Sequence, residues 1–436
     1  MEELIAKSHN NEFYVTSFAP LYASLKNDNQ KTIAMLENLI SKREHLSAQN
    51  SLIGYYNAAG RTKDALALAD ARIEAYPYFN SGYKDRIAMA NQANQYGESV
   101  KYADKCLKNF PYSFQMMAEK GTGYNYLKNT AEAEKLFRQS LLYNSGNSDL
   151  RKTLYTITKL PDEIELVATK NTYDLIKQRR DPNRKIEQGV MILIDEHIIN
   201  VLQPGAQKSK TTQAYEVKNE SGIEVLKEHQ LDYSDNILKA EVIKPNGTIV
   251  PGEKNSGTIV FTGLQVNDVV YLEYESTSTG YGRFYKDFDT TYYFNGNYPS
   301  CQTSFGIISD EATAYTSNVS NDAIQSKSKK INGKTYTWWE KKNVPAMATE
   351  DNFSPNYYDL VSAVSISTLK KWSDISNWYA DLVKKNTDLD NTALKAYAEI
   401  FPKGTSGLSQ EEIAYSIYKY IEDNITYSSL DFRQSG

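Results

Sequence analysis

The stretch Gly121-Thr-Gly-Tyr-Asn-Tyr-Leu-Lys-Asn-Thr-Ala-Glu-Ala-Glu-Lys-Leu-Phe137 decides the fold of the first third of the chain. It reads as the end of one helix, a turn at Lys128-Asn129, and the start of a second helix that Thr130 is placed to cap. Thr62, after the turn Gly60-Arg61, is placed the same way earlier in the chain. The pattern returns at a step of 34 residues: Pro77 and Pro111 keep it, as do Ala65, Ser99 and Ala133. Tyr56, Ala90 and Tyr124 keep it too, and so do Arg72, Cys106 and Ser140. Small residues recur where two helices cross, and proline follows the second helix, where its missing N–H ends the ladder. One such hairpin cannot bury its apolar stripe alone, so the repeat implies a stack of hairpins, an α-solenoid.

Gly121, Tyr124, Ala133 and Phe137 fall on the packing positions of the tetratricopeptide repeat, which residues 46–145 resemble. The first of these copies departs from that pattern at Ala69, where an aromatic is usual, and at Arg72, where a small residue is usual. An earlier copy over 12–45 is weaker. The resemblance implies that first helices line a concave face and that the partner is a protein or peptide. Asn57, Asn91 and Asn125 share one register near the end of each first helix. An asparagine amide donates and accepts at once, so the three make a candidate ladder for an extended peptide. Asparagine is also favoured near helix C-termini, which is the other reading of the same register. Cys106 occupies a helix-crossing position and reads as core.

Residues 149–181 continue helical and stop at Arg179-Arg-Asp-Pro182. After Lys185 the apolar period changes from about 3.6 to 2. Strand candidates are Val190-Met-Ile-Leu-Ile-Asp, His197-Ile-Ile-Asn-Val, Ala214-Tyr-Glu-Val, Leu238-Lys-Ala-Glu-Val-Ile, Thr258-Ile-Val-Phe and Val269-Val-Tyr-Leu-Glu-Tyr-Glu. Thr291-Tyr-Tyr-Phe, Thr303-Ser-Phe-Gly-Ile-Ile, Lys334-Thr-Tyr-Thr-Trp-Trp-Glu and Leu360-Val-Ser-Ala-Val-Ser-Ile follow. Asn246-Gly247 and Asn332-Gly333 read as hairpin turns with positive φ at both central residues. Many short strands with such turns point to an antiparallel β-sandwich. The order of its segments is a strand into Asp195-Glu196, a long hairpin, Val242-Ile-Lys-Pro-Asn-Gly-Thr-Ile-Val250, Trp338-Trp-Glu-Lys-Lys-Asn-Val-Pro345 and Ser367-Thr-Leu-Lys-Lys-Trp-Ser-Asp374, and it is similar to the uncharacterised β domain that precedes transglutaminase-like domains in bacterial envelope proteins. The aromatic runs Tyr281-Gly-Arg-Phe-Tyr285 and Tyr292-Tyr-Phe294 read as alternating strand residues, with sugar stacking as the other reading.

Trp372-Ser373 opens a helix, residues 391–401 form another, and Ser409-Gln-Glu-Glu412 is a capping box for a third. Ile413, Ile417, Tyr420 and Ile421 give that helix one apolar face, and a short strand follows it. The run ending Asn424-Ile-Thr-Tyr427 resembles the opening of a transglutaminase-like domain. The resemblance implies a Cys-His-Asp enzyme whose nucleophile belongs after Gly436 and is not in this sequence.

The fold class expected is therefore multidomain α and β: tetratricopeptide-like repeats over 1–160, a helical connector over 161–185, a β-sandwich over 186–372, and an incomplete helical stub over 373–436. A net charge of −5, from 49 basic and 54 acidic residues without long basic runs, argues against a nucleic-acid partner. No apolar stretch approaches the ~20 residues of a membrane span, and Met1-Glu-Glu-Leu-Ile-Ala-Lys7 is not a signal peptide. Cys106 and Cys301 are too far apart for a metal or redox pattern, and His9, His45, His197 and His229 are scattered. No catalytic residue, metal or cofactor is expected. The expected role is a non-catalytic interaction and assembly segment of a bacterial envelope protein, in the periplasm or cell envelope. The alternative is the accessory region of a transglutaminase-like acyltransferase or peptidase.

Overall fold

The computed structural model describes every residue except 1, 10, 27, 203, 231, 233–235, 256, 348–354, 385–388 and 427–436. The strand expected after the last helix lies outside the described residues.

The chain begins with helices α1 (Glu2–Lys7), α2 (Glu12–Lys26), α3 (Asn29–Lys42), α4 (Leu46–Ala58) and α5 (Thr62–Ala75). It continues with α6 (Asn80–Gln92), α7 (Tyr96–Asn109), α8 (Phe114–Tyr126), α9 (Thr130–Tyr143) and α10 (Ser148–Thr158). From α2 to α10, successive helices pack side by side. The first helices α4, α6, α8 and α10 start 34 residues apart, and the second helices α5, α7 and α9 keep the same step. Helix α2 starts one step before α4, so the weak copy over 12–45 is a complete hairpin, and α10 opens another.

The crossing register is occupied as its residue sizes require. Ala65, Ser99 and Ala133 are fully buried. A Cβ on Gly121 would stand 2.6 Å from the Phe137 ring, so the glycine makes room for that aromatic. Arg72 is buried where its counterparts are Cys106 and Ser140; its Nη2 donates to Asp85 at 2.6 Å and its Nη1 to Asn50. The caps correct the sequence reading. Thr62 and Thr130 are the first helical residues, and the cap of α9 is Asn129, whose side-chain oxygen accepts from the Glu132 amide. Arg61, before α5, makes no such bond.

The β region is one large sheet with a layer on each face. Its strands are β1 (Val190–Leu202), β2 (Ala206–Val217), β3 (Glu228–Gln230), β4 (Asn236–Ile243), β5 (Ile249–Pro251), β6 (Glu253–Asn255) and β7 (Thr258–Val260). There follow β8 (Val269–Thr279), β9 (Asp289–Tyr293), β10 (Ser300–Asp310), β11 (Thr316–Ser320), β12 (Lys327–Ile331), β13 (Lys334–Val344) and β14 (Ala363–Ser367). The large sheet runs β12-β13-β10-β1-β2-β8-β4-β5, and two three-stranded sheets run β11-β14-β9 and β3-β7-β6. Both small sheets pack on one face of the large one. Phe294, Val364 and Ile366 meet Phe305, Ile307 and Trp339, and Ile259 and Phe261 meet Val190, Val242 and Leu272. The sandwich is antiparallel except at its centre, where β1 and β10 pair in parallel. A short helix α12 (Glu220–Leu226) interrupts what reads as one long hairpin, and a four-residue helix α13 (Tyr357–Leu360) replaces the start of the last expected strand.

Asn332 and Gly333 both take positive φ, as a two-residue turn between antiparallel twisted strands requires. At the other expected turn only Gly247 does. That loop is longer, closing through Lys244 N–H to Thr248 O, so Asn246 need not adopt the left-handed region.

The connector covers the opposite face. A 3₁₀ turn (Ile164–Leu166) and helix α11 (Thr172–Arg179) lay Ile164, Ala168 and Ile176 on Ile198, Ile308, Met191 and Leu193. A register shift between Ile192 and Ile194 brings Leu193 and Ile194 onto the same side. Beyond it Glu196, Ile198 and Asn200 face the connector, while Asp195, His197, Ile199 and Val201 face the small sheets. Finally, α14 (Trp372–Lys384), α15 (Asn391–Ile400) and α16 (Gln410–Asn424) contain no buried residue. The capping box of Ser409 and Glu412 is formed as expected.

Candidate interaction surfaces

Asn57, Asn91 and Asn125 are the penultimate residues of α4, α6 and α8. Each carbonyl accepts the amide three residues on: Gly60 at 3.1 Å, Asn94 at 3.0 Å and Lys128 at 3.0 Å. The repeat thus places the three on equivalent turns. Their side chains differ in employment. Asn57 is exposed and Asn125 half-buried. The Asn91 Oδ1 accepts from Ser99 Oγ at 2.6 Å, and its amide also bonds Glu119. Burial raises the Glu119 pKa, against the opposing pull of Lys84 and Asn91.

Two further periodic features accompany them, and both were within reach of a 34-residue alignment. Asp70 and Asp104 are one step apart, as are Arg86 and Lys120. Arg86 Nε donates to Asp70 at 2.9 Å, and Lys120 pairs with Asp104 at 2.6 Å, so the same bridge joins a second helix to the next first helix twice. Tyr102 reinforces the first bridge, donating to Asp70 at 2.6 Å beneath the Arg86 guanidinium. Tyr78 and Tyr112, also one step apart, are 76% and 71% exposed at the turns between hairpins. Each ring has an edge-on aromatic neighbour, Phe110 or Tyr143.

The second surface is the seam where α10 and the connector meet the large sheet. Lys208 of β2 bridges Asp162 and Glu275, both at 2.5 Å. Lys210 bridges Glu165 at 2.6 Å and Glu273 at 2.7 Å. Glu163 accepts from Tyr155 at 2.6 Å and from Asn200, and pairs with Lys334 at 3.1 Å. Glu196 accepts both the amide and the hydroxyl of Thr169. Burial alone would depress both lysines, but the hydrogen bonds of their carboxylate partners hold them above their ordinary range. Gly146 completes the seam: a Cβ there would come within 2.3 Å of the Thr279 methyl.

Inside the sandwich lies a buried polar group. Asp195 accepts from Tyr292 at 2.8 Å and from Gln213 at 3.1 Å. The His197 ring lies parallel to Tyr292 and Phe305, and its Nδ1 is 2.8 Å from Thr211 Oγ1. Burial pushes the Asp195 carboxyl up and the His197 imidazole down to about 4. Within the second aromatic run, Phe294 is buried and Tyr292 half-buried in this core, whereas Tyr293 points out, which is strand alternation. Tyr281 of the first run is exposed.

Cys106 is fully buried, its thiol pushed up to about 11 by burial. Cys301 packs beside the connector, with Arg184 Nη1 donating to its sulfur at 3.2 Å. His45 caps α4 by accepting from the Ala48 amide. Among the described residues, no group of three or more His, Cys, Asp or Glu is placed to hold a metal, and no helix is long and apolar enough to cross a membrane.

No family model and no curated protein matches the chain. Among solved structures, a "putative protease" from Parabacteroides distasonis is 15% identical over 55% of this chain, with a TM-score of 0.44; the match spans 51% of that chain. MamA from Desulfovibrio magneticus is 8% identical over 33% of this chain and 84% of its own, with a TM-score of 0.28. The first tetratricopeptide repeat domain of Spaghetti (RPAP3), bound to an HSP90 peptide, is 14% identical over 26% of this chain and 88% of its own, with a TM-score of 0.24.

Proposed function

We propose that the chain is a non-catalytic interaction and assembly segment of a bacterial envelope protein, with the solenoid holding an extended peptide along its first helices. The observation that supports this is the equivalence of Asn57, Asn91 and Asn125, which puts three amides at one repeat spacing. The side chain of Asn91 is already bonded to Ser99 and Glu119, so it would act from a fixed orientation. Replacing all three by alanine should weaken by several-fold the binding of any peptide selected on an array against the whole chain. Unchanged affinity would leave helix termination as their role.

A second reading is favoured by one feature, the absence of any buried residue in α14, α15 and α16. Trp372, Tyr379, Tyr415 and Ile421 are all exposed there. Such a surface suits an accessory region that supports a transglutaminase-like acyltransferase or peptidase. In that reading neither thiol here is the nucleophile. Acyl transfer needs a thiolate, a neighbouring imidazole and oxyanion donors. Cys106 is inaccessible, and the sulfur of Cys301 is bonded by an arginine, not a histidine. The chain should therefore incorporate no fluorescent amine into casein. Labelling of Cys301 by a cysteine-directed activity probe, lost in Cys301→Ala, would overturn that assignment.

A further inference from the structure

Two cavities meet at the seam, one on each side of Arg151. One, of about 220 Å3, is bordered by Ser148, Lys152 and Asn236, and the other, of about 240 Å3, by Arg138 and Asp310. Arg151, Tyr155 and Leu202 line both. These volumes fall below the ~300–1,000 Å3 of drug-sized sites, so an occupant would be small.

The charges around them are unevenly satisfied. Lys208 has two carboxylate partners and Lys334 has Glu163. Arg138 pairs with Glu134, and the exposed Lys152 lies near Asp149. Arg151 is different. Its Nε and Nη2 both donate to one carbonyl oxygen, that of Ser145, at 3.0 and 2.8 Å. Among the described residues no carboxylate lies within ion-pair distance of it. Burial pulls its pKa down, and Tyr155, Glu163 and Asp310 offset this only through longer-range attraction. A guanidinium that only held the Ser145 carbonyl would need no open space beside it. Here the space lies on both sides, and Ser148, the first residue of α10, borders the first cavity.

We propose that this seam binds a small carboxylate ligand, of amino-acid to dipeptide size, through Arg151. Among the described residues Arg151 offers a single guanidinium without a carboxylate partner, and the carboxylates of Asp162, Glu275 and Asp310 in the same cavities disfavour a doubly charged phosphate more than a single carboxylate. Leu202 and Tyr155 supply apolar wall for the rest of the molecule. None of Asn57, Asn91 and Asn125 lines the site, and it does not depend on peptide binding at them.

The test is calorimetric titration of the whole chain with N-acetyl-alanyl-alanine, its C-terminal amide, and inorganic phosphate. The acid should bind saturably, the amide at least tenfold more weakly, and phosphate more weakly than the acid. Arg151→Gln should reduce acid binding at least tenfold, and Arg151→Lys should recover part of it, with circular dichroism spectra unchanged. Should Arg151→Gln fail to fold, the thermal midpoint of the unaltered chain decides: a rise with acid but not with amide supports the site. Equal binding of acid and amide, tighter binding of phosphate, or no saturable binding of the acid would overturn it.

Discussion

Replacing Lys208 by alanine is expected to destabilise the seam by about 3 kcal/mol, the low end for breaking a buried ion pair by removing one partner. Lys208 is 14% exposed, and Asp162 and Glu275 are 18% and 13% exposed. Without the ammonium, two carboxylates face each other in a partly dry space, and among the described residues only Asp162 keeps another bond, from the Ile164 amide. The connector should loosen from the sheet before either neighbour unfolds. Limited proteolysis between α10 and β1 should accelerate roughly a hundredfold if cleavage follows the open population. Lys152→Ala, on an exposed side chain paired at 3.7 Å, should change nothing measurable. Equal cleavage rates for Lys208→Ala and the unaltered chain would show that the seam is held by apolar packing alone.

The second large effect is a pH dependence centred on His197. Burial holds its imidazole at about 4, against an ordinary 6.5, so the folded chain keeps it neutral. Below about 6.5 the unfolded chain binds a proton that the folded chain refuses. Stability from this group is complete above that pH and is lost as pH falls toward 4, by about 3 kcal/mol. Asp195, two residues earlier on the same face, acts in the opposite sense. Burial raises its pKa, so its contribution is present at low pH and is lost as pH rises through that value. His197→Phe keeps a ring beside Tyr292 and Phe305 and removes the proton. Urea midpoints followed by tryptophan fluorescence should fall less between pH 7 and pH 4 in His197→Phe than in the unaltered chain. Superimposable profiles would mean that water reaches the imidazole.

The solenoid was readable because its signal is periodic. Gly121 and Phe137 are 16 residues apart, yet each explains the other once both are placed on facing helices. Cap positions were misread by one residue at Asn129 and Thr130, because both side chains can cap and only backbone geometry separates them. In the β region most strands were legible by alternation. The parallel pairing of β1 with β10 was not, since alternation specifies a face and not a neighbour. The break in alternation at Leu193 and Ile194 was visible as one long apolar run, which hid a change of face. The seam was illegible for another reason. Asp162, Glu165, Lys208, Glu273 and Lys334 carry no mutual spacing, and they become a site only when the connector lies across the sheet. The three asparagines were found by spacing, but spacing could not show that Asn91 is already bonded.

The parallel pairing of β1 also orders events in time. One side of β1 is closed early by β2, its neighbour in the chain, but the other waits for β10, whose Gly306 pairs with Ile198. About a hundred residues must be made in between, which at ~5–20 residues per second leaves that edge bare for ~5–20 s on the ribosome. The edge is rich in isoleucine and valine, and such edges recruit other strands. A nascent chain of this protein therefore passes through a sticky interval that ends only when β10 emerges. A chain terminated anywhere between β2 and β10 never leaves it, and is expected to accumulate as aggregate and not as a shorter folded protein.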